Sequence, residues 1–214
     1  MLYYSYIGGN NMKVQDLILY QVATDRNYKV GDKLIFNKDI PNGQFERVYN
    51  FDFRLNDIRP SDEMYEVAKR KLKKFKSKDD IYSLAHIFEY YDVAIKEIAL
   101  EEVRKQDFPQ LPSRLHCMYL SINKDLALKN LKVMAESKEK RGKHFQAVAV
   151  KLNGVIFKAG KVYVNREGKS YSYYKEKAKA YWSQDGLKDE EVKEVLFEGR
   201  AEIVEILDEI TLTK

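Results

Sequence analysis

Residues Phe145–Leu152 read FQAVAVKL, a short run of apolar side chains rich in valine and alanine. A run of this length and composition is typical of a strand buried in a sheet. Val155–Val164 predicts a second strand. Val192–Phe197 and Ala201–Leu207 predict a hairpin with Glu198-Gly199-Arg200 as its turn. The later part of the chain is therefore expected to supply much of a β-sheet.

Shorter patterns elsewhere predict the rest of the fold. The other expected elements are strands at 17–23 (LILYQVA), 34–36 and 115–121, a loop at 39–43, a helix capped by Asn123, and a helix through Tyr171, Tyr174, Ala178 and Tyr181. These elements show no regular alternation of the βαβ type. Such segregation is typical of an α+β fold.

Residues 61–106 change character and predict two consecutive helices. Ser61 suits the start of the first helix, and Ser77 and Asp80 have capping-box spacing before the second. Apolar residues of the second helix recur on one stripe, at Ile81, Leu84, Ala85, Phe88, Tyr91, Ile95, Ile98 and Ala99. A stripe of this kind is typical of the helix face that packs on a core. We expect one domain, 1–214, with a helical-hairpin insertion at 57–107.

The composition excludes several classes of protein. Hydrophobic residues make up 44% of the 214 and aromatic residues 13%, which suits a packed core and argues against disorder. No apolar run approaches the ~20 residues of a membrane-spanning helix, and the N-terminus lacks the pattern of a secretory signal. The single cysteine, Cys117, excludes an internal disulfide framework. A cytoplasmic protein is expected.

Motifs for several common chemistries are missing from the sequence. It contains no GxxxxGKS/T phosphate loop, no GxGxxG and no GxSxG nucleophile turn. His86, His116 and His144 lack zinc-ligand spacing relative to Cys117 or to one another, so no metal site is expected. Cys117 lies in the middle of a predicted strand, which favours a buried structural role.

Three separated stretches carry a resemblance to a known family. They are Leu19-Tyr20-Gln21-Val22 followed by Lys29-Val30-Gly31-Asp32; Phe108–Arg114 (FPQLPSR) leading into Met118-Tyr119-Leu120-Ser121 and Asp125-Leu126-Ala127; and Ala180-Tyr181-Trp182 followed by Glu194–Gly199 (EVLFEG) and Ala201–Glu205 (AEIVE). In this order they resemble the ADP-ribosyltransferase superfamily, in particular small bacterial members such as the rifampin-modifying enzymes. The resemblance covers roughly half of the chain and omits the helical insertion.

The resemblance implies a split β fold that grips NAD, the substrate, in a cleft between two small sheets. Members similar to diphtheria toxin carry a His, a Tyr and an acidic residue on three strands. The matching positions, which are the implied catalytic residues, are Gln21, Tyr119 and Glu194. The implied NAD-binding residues are Tyr20, Gln21, Ser113, Arg114, Tyr119 and Ser121.

Gln21 departs from the family pattern, in which a histidine at this position hydrogen-bonds NAD. Glutamine offers both a donor and an acceptor, which is compatible with continued NAD binding. The same replacement equally fits a degenerate site that no longer turns over. The sequence leaves both interpretations open.

The residue types suit transfer of ADP-ribose. Breaking the bond between nicotinamide and ribose builds positive charge on the ribose, and a carboxylate such as Glu194 stabilises that charge at the 2′-hydroxyl. The same carboxylate suits deprotonation of the incoming nucleophile. The ring of Tyr119 suits stacking on nicotinamide, and the guanidinium of Arg114 suits a forked contact with the diphosphate.

Each of these assignments has a structural alternative. Glu194 also fits an exposed carboxylate at the start of a strand, and Tyr119 fits core packing. Arg114 fits a residue that pins its loop, or one that pairs with Glu101 or Glu102 of the preceding helix.

The positive charge of the chain is concentrated in one stretch. The net charge is +5, and Lys69–Lys78 (KRKLKKFKSK) contains seven basic residues and no acidic one. Lysines on the solvated face of a helix ordinarily serve solubility, but they also suit contact with phosphates of a nucleic acid. The candidate contacts are Lys69, Arg70, Lys73 and Lys74. Tyrosines of 171–182 suit base stacking, or else packing within a helix.

The leading hypothesis is an NAD-dependent ADP-ribosyltransferase that modifies a macromolecular acceptor, either a protein or a nucleic acid. The resemblance also implies a role as a toxin or in phage conflict. One alternative is a non-catalytic module that binds NAD, which Gln21 keeps open. Another is a nucleic-acid-binding protein that acts through the basic stretch. No membrane partner is expected.

Overall fold

A computed structural model describes residues 4–8, 11–49, 78–136, 143–160, 167–183, 192 and 194–212. Its strands are β1 (Tyr4–Gly8), β2 (Asn11–Thr24), β3 (Lys33–Phe36), β4 (Met118–Leu120), β5 (His144–Ala159) and β6 (Glu194–Thr211). Its helices are α1 (Gly43–Tyr49), α2 (Lys78–Asp107), α3 (Lys124–Ala135) and α4 (Tyr171–Trp182). The predicted α+β class is confirmed. Within these ranges every helix is too short or too polar to span a bilayer.

The chain forms two compact units. The first comprises Met1–Ile40, Gln110–Lys161 and Ser183–Lys214, and it contains the strands. The second comprises Pro41–Pro109 and Val162–Trp182, and it contains α1, α2 and α4. The predicted insertion, 57–107, falls within the second unit. Its first predicted helix and the candidate nucleic-acid contacts Lys69, Arg70, Lys73 and Lys74 lie outside the described residues.

All six described strands belong to one sheet, in the order β1-β2-β5-β6-β3, with β4 also paired to β6. Each of these pairings is antiparallel. Directly after β4, Ser121 exchanges two backbone hydrogen bonds of 2.7 and 3.0 Å with Tyr20 of β2. This bridge closes a ring through β2, β5, β6 and β4. The described strands are therefore continuous, whereas the resemblance implies two separate small sheets.

Two glycines explain why two predicted breaks in the sheet are wrong. The sequence predicts a gap between strands at Gly154 and a hairpin turn at Gly199, yet both glycines lie inside the long strands β5 and β6. They face each other in the register. A Cβ on Gly199 would lie 2.5 Å from the carbonyl oxygen of Asn153 and 2.7 Å from Cα of Gly154. Glycine is required here because two strands approach closely.

The main core of the first unit lies on one face of the sheet. Buried side chains from four strands meet there, among them Leu19, Met118, Leu120, Val148, Val195 and Phe197. Because alternate residues of a strand point to opposite faces, their neighbours Tyr20, Tyr119 and Leu196 belong to the other face. Helix α3 packs on that other face, where its Leu131 joins Phe145 and Ala147 of β5.

Local sequence signals predict some ends of helices and strands correctly and miss others. Asn123 caps α3 as predicted, and its side chain accepts a hydrogen bond of 2.7 Å from the N–H of Asp125. Helix α1 is missed, because Asn42 belongs to a predicted loop but caps this helix through the N–H groups of Gln44 and Phe45. The strand predicted at 115–121 is shorter, since a turn occupies the residues before Met118.

Helix α2 packs with the face opposite to the one that its apolar stripe predicts. Five members of the stripe are exposed, namely Ala85, Phe88, Tyr91, Ile95 and Ile98, whereas Ala99 is buried. The side chains of Ile81 and Leu84 lie outside the description. The buried face contains Ile87, Ala94, Leu100 and Val103 together with the charged residues Lys96, Glu97, Glu101 and Arg104. The expectation that the stripe faces a core is therefore wrong.

The buried charges of α2 are paired, which makes this orientation possible. The guanidinium of Arg104 donates two hydrogen bonds, of 2.9 and 2.8 Å, to the carboxylate of Glu101. Lys96 lies 3.5 Å from Glu97. Within the same unit, the indole N–H of Trp182 in α4 donates a 2.8 Å hydrogen bond to the carbonyl oxygen of Leu100.

Candidate functional site

Two of the predicted site residues are in direct contact. The guanidinium of Arg114 donates a hydrogen bond to the carboxylate of Glu194, 80 positions further along the chain. Both residues are buried, with exposed fractions of 6% for Arg114 and 8% for Glu194. Glu194 opens β6, and the buried segment 111–115 brings Arg114 to it. The structural expectation of an exposed strand-start carboxylate at Glu194 is therefore wrong.

Tyr119 and Ser113 complete the surroundings of Arg114. The hydroxyl of Tyr119 donates a 2.7 Å hydrogen bond to the backbone carbonyl of Arg114. The guanidinium carbon of Arg114 lies 5.4 Å from the centre of the Tyr119 ring, within the range of a cation–π contact. The hydroxyl of Ser113 accepts a 3.2 Å hydrogen bond from the N–H of Leu115. The hydroxyl of Ser113 is therefore used within the turn that contains Arg114, and it does not point away from that turn.

Tyr20 and Ser121 lie beside this cluster because of the strand register. They form the backbone bridge that joins β2 to the end of β4. In the β4–β6 pairing Tyr119 faces Leu196 and Leu120 faces Val195. Continuing this register by one residue places Ser121 opposite Glu194. Directly opposite residues share a face of the sheet, so Tyr20, Ser121 and Glu194 do so.

Gln21 is the predicted residue that the structure separates from the others. It pairs with Val148, a member of the main core, and it alternates with Tyr20 along β2. Gln21 therefore lies on the core face of the sheet, whereas Tyr119 and Glu194 lie on the other face. Its side-chain oxygen is buried and has no hydrogen-bond partner in the described part of the chain.

One buried carboxylate shares a face of the sheet with three half-buried polar side chains. Tyr20, Tyr119 and Ser121 are half-buried, whereas Glu194 is buried and hydrogen-bonded to Arg114. A buried carboxylate needs a partner, and the hydrogen bond from Arg114 fixes the position of this one. An aromatic ring, a hydroxyl group and a fixed carboxylate together suit the binding of a flat ring attached to a sugar.

Sequence reasoning missed two residues that support the cluster. The thiol of Cys117 lies 3.7 Å from the carbonyl oxygen of Arg114, and Nδ1 of His116 lies 3.2 Å from the hydroxyl of Ser113. Both follow Arg114 in one tight turn, closed by a 3.1 Å hydrogen bond from the N–H of His116 to the Ser113 carbonyl. The short spacing within Pro-Ser-Arg-Leu-His-Cys was the available signal, because residues so close in sequence share a turn.

A surface depression of about 290 Å³ lies elsewhere on the sheet. Its lining comes from β3, β5 and β6 and includes Lys33, Ile35, Lys151, Asn153, Arg200 and Glu202. None of the predicted site residues lines it. Lys151 and Glu202 form a 2.8 Å salt bridge there, which raises the pKa of Lys151 and lowers that of Glu202, mainly through their hydrogen bond.

The tyrosine-rich helix α4 is mostly a packing element. Tyr174, Tyr181 and Trp182 are buried. Tyr171 and Tyr173 remain at the surface, where their hydroxyls donate to Glu102 and Glu167. The alternative of tyrosines that pack within a helix therefore fits two of the tyrosines, Tyr174 and Tyr181. No group of side chains in the described ranges has the composition and spacing to hold a metal ion.

A match to a protein-family model covers most of the described strands and the candidate site. No curated protein matches the sequence. The matched part of the chain runs from Leu19 in β2 to Glu209 in β6, and so includes Tyr20, Arg114, Tyr119 and Glu194. The chain belongs to the family described as "Protein of unknown function (DUF2441)", whose model matches residues 19–209.

Proposed function

We propose that this protein binds NAD and transfers ADP-ribose to a macromolecular acceptor, with Glu194 as the catalytic carboxylate. The observation that carries the proposal is the contact of Arg114 with Glu194 beside Tyr119. The resemblance to ADP-ribosyltransferases assigns Arg114 and Tyr119 from one stretch of sequence and Glu194 from another, 75 positions beyond Tyr119. A shared site requires them to meet, and their contact supports that requirement. The fold of that superfamily is part of the same proposal, with the described strands joined in one sheet.

Glu194 and Tyr119 have distinct roles in this reaction. The bond between ribose C1′ and nicotinamide breaks, and nicotinamide leaves with the bonding electrons. The carboxylate of Glu194 accepts a hydrogen bond from the ribose 2′-hydroxyl and stabilises the positive charge on the sugar. The acceptor nucleophile then bonds to C1′ and loses its proton, for which Glu194 is the available base. The Tyr119 ring stacks on the departing nicotinamide.

Arg114 acts as a positioning residue in the proposal. Its guanidinium is buried and hydrogen-bonded to Glu194, which favours orientation of the carboxylate over a contact with diphosphate. A carboxylate offers about four lone-pair sites, so the pairing with Arg114 is compatible with a further bond to a ribose hydroxyl. Gln21 has no catalytic role in this scheme, because it lies on the core face beside Val148.

The test is transfer of label from adenylate-labelled NAD to cell lysate or total RNA. Glu194→Gln keeps the size of the side chain and removes its charge, and we expect the transfer rate to fall about 10²–10³-fold. Glu205→Gln is the matched control, since Glu205 lies exposed on the same strand. We expect its rate to equal that of the wild type. Circular dichroism checks that both variants fold.

Other outcomes separate the rival functions. NAD binding without transfer by the wild type would favour a non-catalytic NAD-binding module. Absence of NAD binding, together with RNA retention that weakens with salt and is lost in Lys73→Glu/Lys74→Glu, would favour a nucleic-acid-binding protein. Transfer that persists unchanged in Glu194→Gln would contradict the assignment of the catalytic carboxylate.

A further inference from the structure

The surface depression on the sheet has a lining in which cations outnumber acids. Lys33, Lys151 and Arg200 supply three positive charges, and Glu202 supplies the single acidic side chain among the described lining residues. The lining lies wholly within the first unit. The volume of about 290 Å³ is close to the lower end of pockets that bind small molecules. The depression is therefore a candidate site for a small anionic ligand.

The strand register explains why these side chains meet. Lys33 of β3 lies opposite Glu202 of β6, and Glu202 lies opposite Lys151 of β5, so the three form one row across the sheet. The residues two positions further along each strand form the next row, which consists of Ile35, Arg200 and Asn153. Residues two positions apart on a strand share a face, so both rows line the same surface.

Within the first row, Glu202 is committed to Lys151. Nζ of Lys151 lies 2.8 Å from Oε2 of Glu202. Their hydrogen bond is the main cause of the lowered pKa of Glu202, to which Lys33 makes the smallest contribution. The pair of Lys151 and Glu202 is therefore close to neutral as a unit, and the positive charge of Lys33 remains available.

Lys33 and Arg200 are the two cations of the depression that have no side-chain partner in the described ranges. Both residues are exposed. Arg200 lies diagonally across the β3–β6 pairing from Lys33, two positions from the residue directly opposite it. Diagonal neighbours have Cβ atoms about 7–8 Å apart, so both long side chains can reach one anion between them.

Two unpaired cations favour a phosphate over a carboxylate. A phosphate monoester carries a charge of about −1.5 to −2 at pH 7, whereas a carboxylate carries a single negative charge. The planar guanidinium of Arg200 suits two phosphate oxygens at once, and the ammonium of Lys33 acts as a point charge beside them.

An acidic side chain at the opposite end of the depression restricts where the phosphate can lie. The carboxylate of Asp16 lies 3.4 Å from the side-chain nitrogen of Asn153, on the β2 side. Lys33 belongs to β3, three strands away in the sheet order, or about 14 Å at the usual strand spacing. The phosphate is therefore expected between β3 and β6, away from Asp16.

Ile35 provides an apolar wall beside the two cations. It is 56% exposed and lies directly opposite Arg200. An organic group attached to the phosphate can pack on this side chain while the phosphate contacts Lys33 and Arg200. A nucleic-acid strand would instead need a track of cations along its backbone, and here Glu202 and Asp16 interrupt such a track. A small ligand fits these charges better than a polymer does.

We propose that this depression binds a small phosphate monoester, with Lys33 and Arg200 on the phosphate and Ile35 against its organic group. The proposal goes beyond the transfer of ADP-ribose and does not depend on it, because the described lining contains none of the candidate site residues.

Titration of isotope-labelled protein with phenyl phosphate, followed by NMR at about pH 7.5, tests the proposal because the phosphate is then close to fully charged. We expect saturable shifts of backbone amides at 33–35 and 200–202, with a dissociation constant on the order of 1 mM for a ligand of this size. Lys33→Gln/Arg200→Gln is expected to weaken binding at least about 10-fold, since it removes both charged donors.

The matched control is Arg26→Gln/Lys129→Gln, which removes one arginine and one lysine that are exposed and lie outside the depression. We expect it to bind phenyl phosphate as the wild type does. Glu194→Gln is also expected to bind with wild-type affinity, so a failure of the proposed NAD site leaves this result unchanged. Circular dichroism checks the fold of each variant.

Four results would overturn the proposal. They are a wild type that shows no saturation up to about 20 mM phenyl phosphate, shifts confined to another surface, an unchanged affinity in the folded double variant, and equal binding of uncharged phenol. The first two are read from the wild type alone, so the test does not depend on the folding of a variant. Saturable binding of a single-stranded oligonucleotide without any binding of phenyl phosphate would likewise overturn it.

Discussion

The β5–β6 ribbon and helix α2 contain equally clear apolar patterns, but the two regions use them in opposite ways. In the ribbon, Phe145, Val150 and Phe197 are fully buried, as an apolar run in a strand predicts. In α2, Phe88 and Ile95 are exposed while Glu101 and Arg104 are buried. A periodic pattern identifies the face that is apolar. Whether that face is buried depends on the elements that pack against it, and the sequence of one helix does not specify those elements.

The difference also concerns how each region is stabilised. The ribbon depends on apolar packing and on the close approach of backbones at Gly154 and Gly199. Helix α2 depends in part on a buried ion pair between Glu101 and Arg104. Ion pairs of this kind stabilise only while both partners are present. The two regions should therefore respond differently to single substitutions.

The largest effect is expected at the glycine pair of the ribbon. Gly199 has φ of 144°, and an added Cβ would lie within 2.7 Å of backbone atoms of the neighbouring strand. We expect Gly199→Ala to lower the free energy of unfolding by about 3–5 kcal/mol, through backbone strain and overpacking. Gly43→Ala is the control, because an added Cβ there meets nothing within 4 Å. Urea unfolding monitored by circular dichroism measures both, and equal stabilities would contradict the close approach.

A somewhat smaller effect is expected from the buried pair of α2. Glu101→Gln leaves the guanidinium of Arg104 without its charged partner, and we expect a loss of about 3 kcal/mol in the free energy of unfolding. The double variant Glu101→Met/Arg104→Met removes both charges and should be more stable than the single variant. If the double variant is no more stable than Glu101→Gln, packing rather than the ion pair is the dominant contribution.

A pH-dependent effect is expected at Tyr174. Burial, and next its hydrogen bond to Asp92, raise the pKa of Tyr174 above the usual 10.0. The folded state therefore holds this proton more tightly than the unfolded state, so the stabilisation is complete below pH 10 and declines as the pH rises through the raised pKa. Tyr174→Phe is expected to cost about 1–3 kcal/mol at pH 7 by leaving partners unsatisfied, and to weaken the decline above pH 10. The measurement is the unfolding midpoint of the wild type and of Tyr174→Phe between pH 7 and 11. An equally steep decline in both proteins would contradict this assignment.

The smallest effect is expected on the exposed side of α2. Phe88→Ala removes a large aromatic ring, yet we expect a change within about 0.5 kcal/mol in the free energy of unfolding, because the ring is exposed in the single chain. The buried Phe157 of β5 provides the contrast, since Phe157→Ala is expected to cost about 3–5 kcal/mol. Similar losses at the two positions would contradict the orientation of α2.

Much of the fold followed from local patterns in the sequence. The apolar runs marked β2, β5 and β6, and Asn123 marked the start of α3. The errors at Gly154 and Gly199 have one cause, since glycine serves both turns and close strand contacts and the local sequence does not distinguish them. The buried face of α2 could not be predicted, because it depends on the pairing between Glu101 and Arg104 and on contacts such as the hydrogen bond from Trp182 to Leu100.

The candidate site was predictable in part. The resemblance selected Arg114, Tyr119 and Glu194, which the structure brings into contact. The pairing of Arg114 with Glu194 was not anticipated, because the residues lie 80 positions apart and the sequence offered Glu101 or Glu102 as the partner of Arg114. The separation of Gln21 follows from strand alternation, which places Gln21 beside Val148 once the register is known.

The most direct test of the NAD site is a crystal structure of the protein with carba-NAD, an analogue whose bond to nicotinamide resists hydrolysis. We expect the carboxylate of Glu194 within hydrogen-bond distance of the 2′-hydroxyl and the Tyr119 ring against nicotinamide. Binding of the analogue elsewhere on the protein, for example in the depression lined by Lys33 and Arg200, would contradict the proposed NAD site.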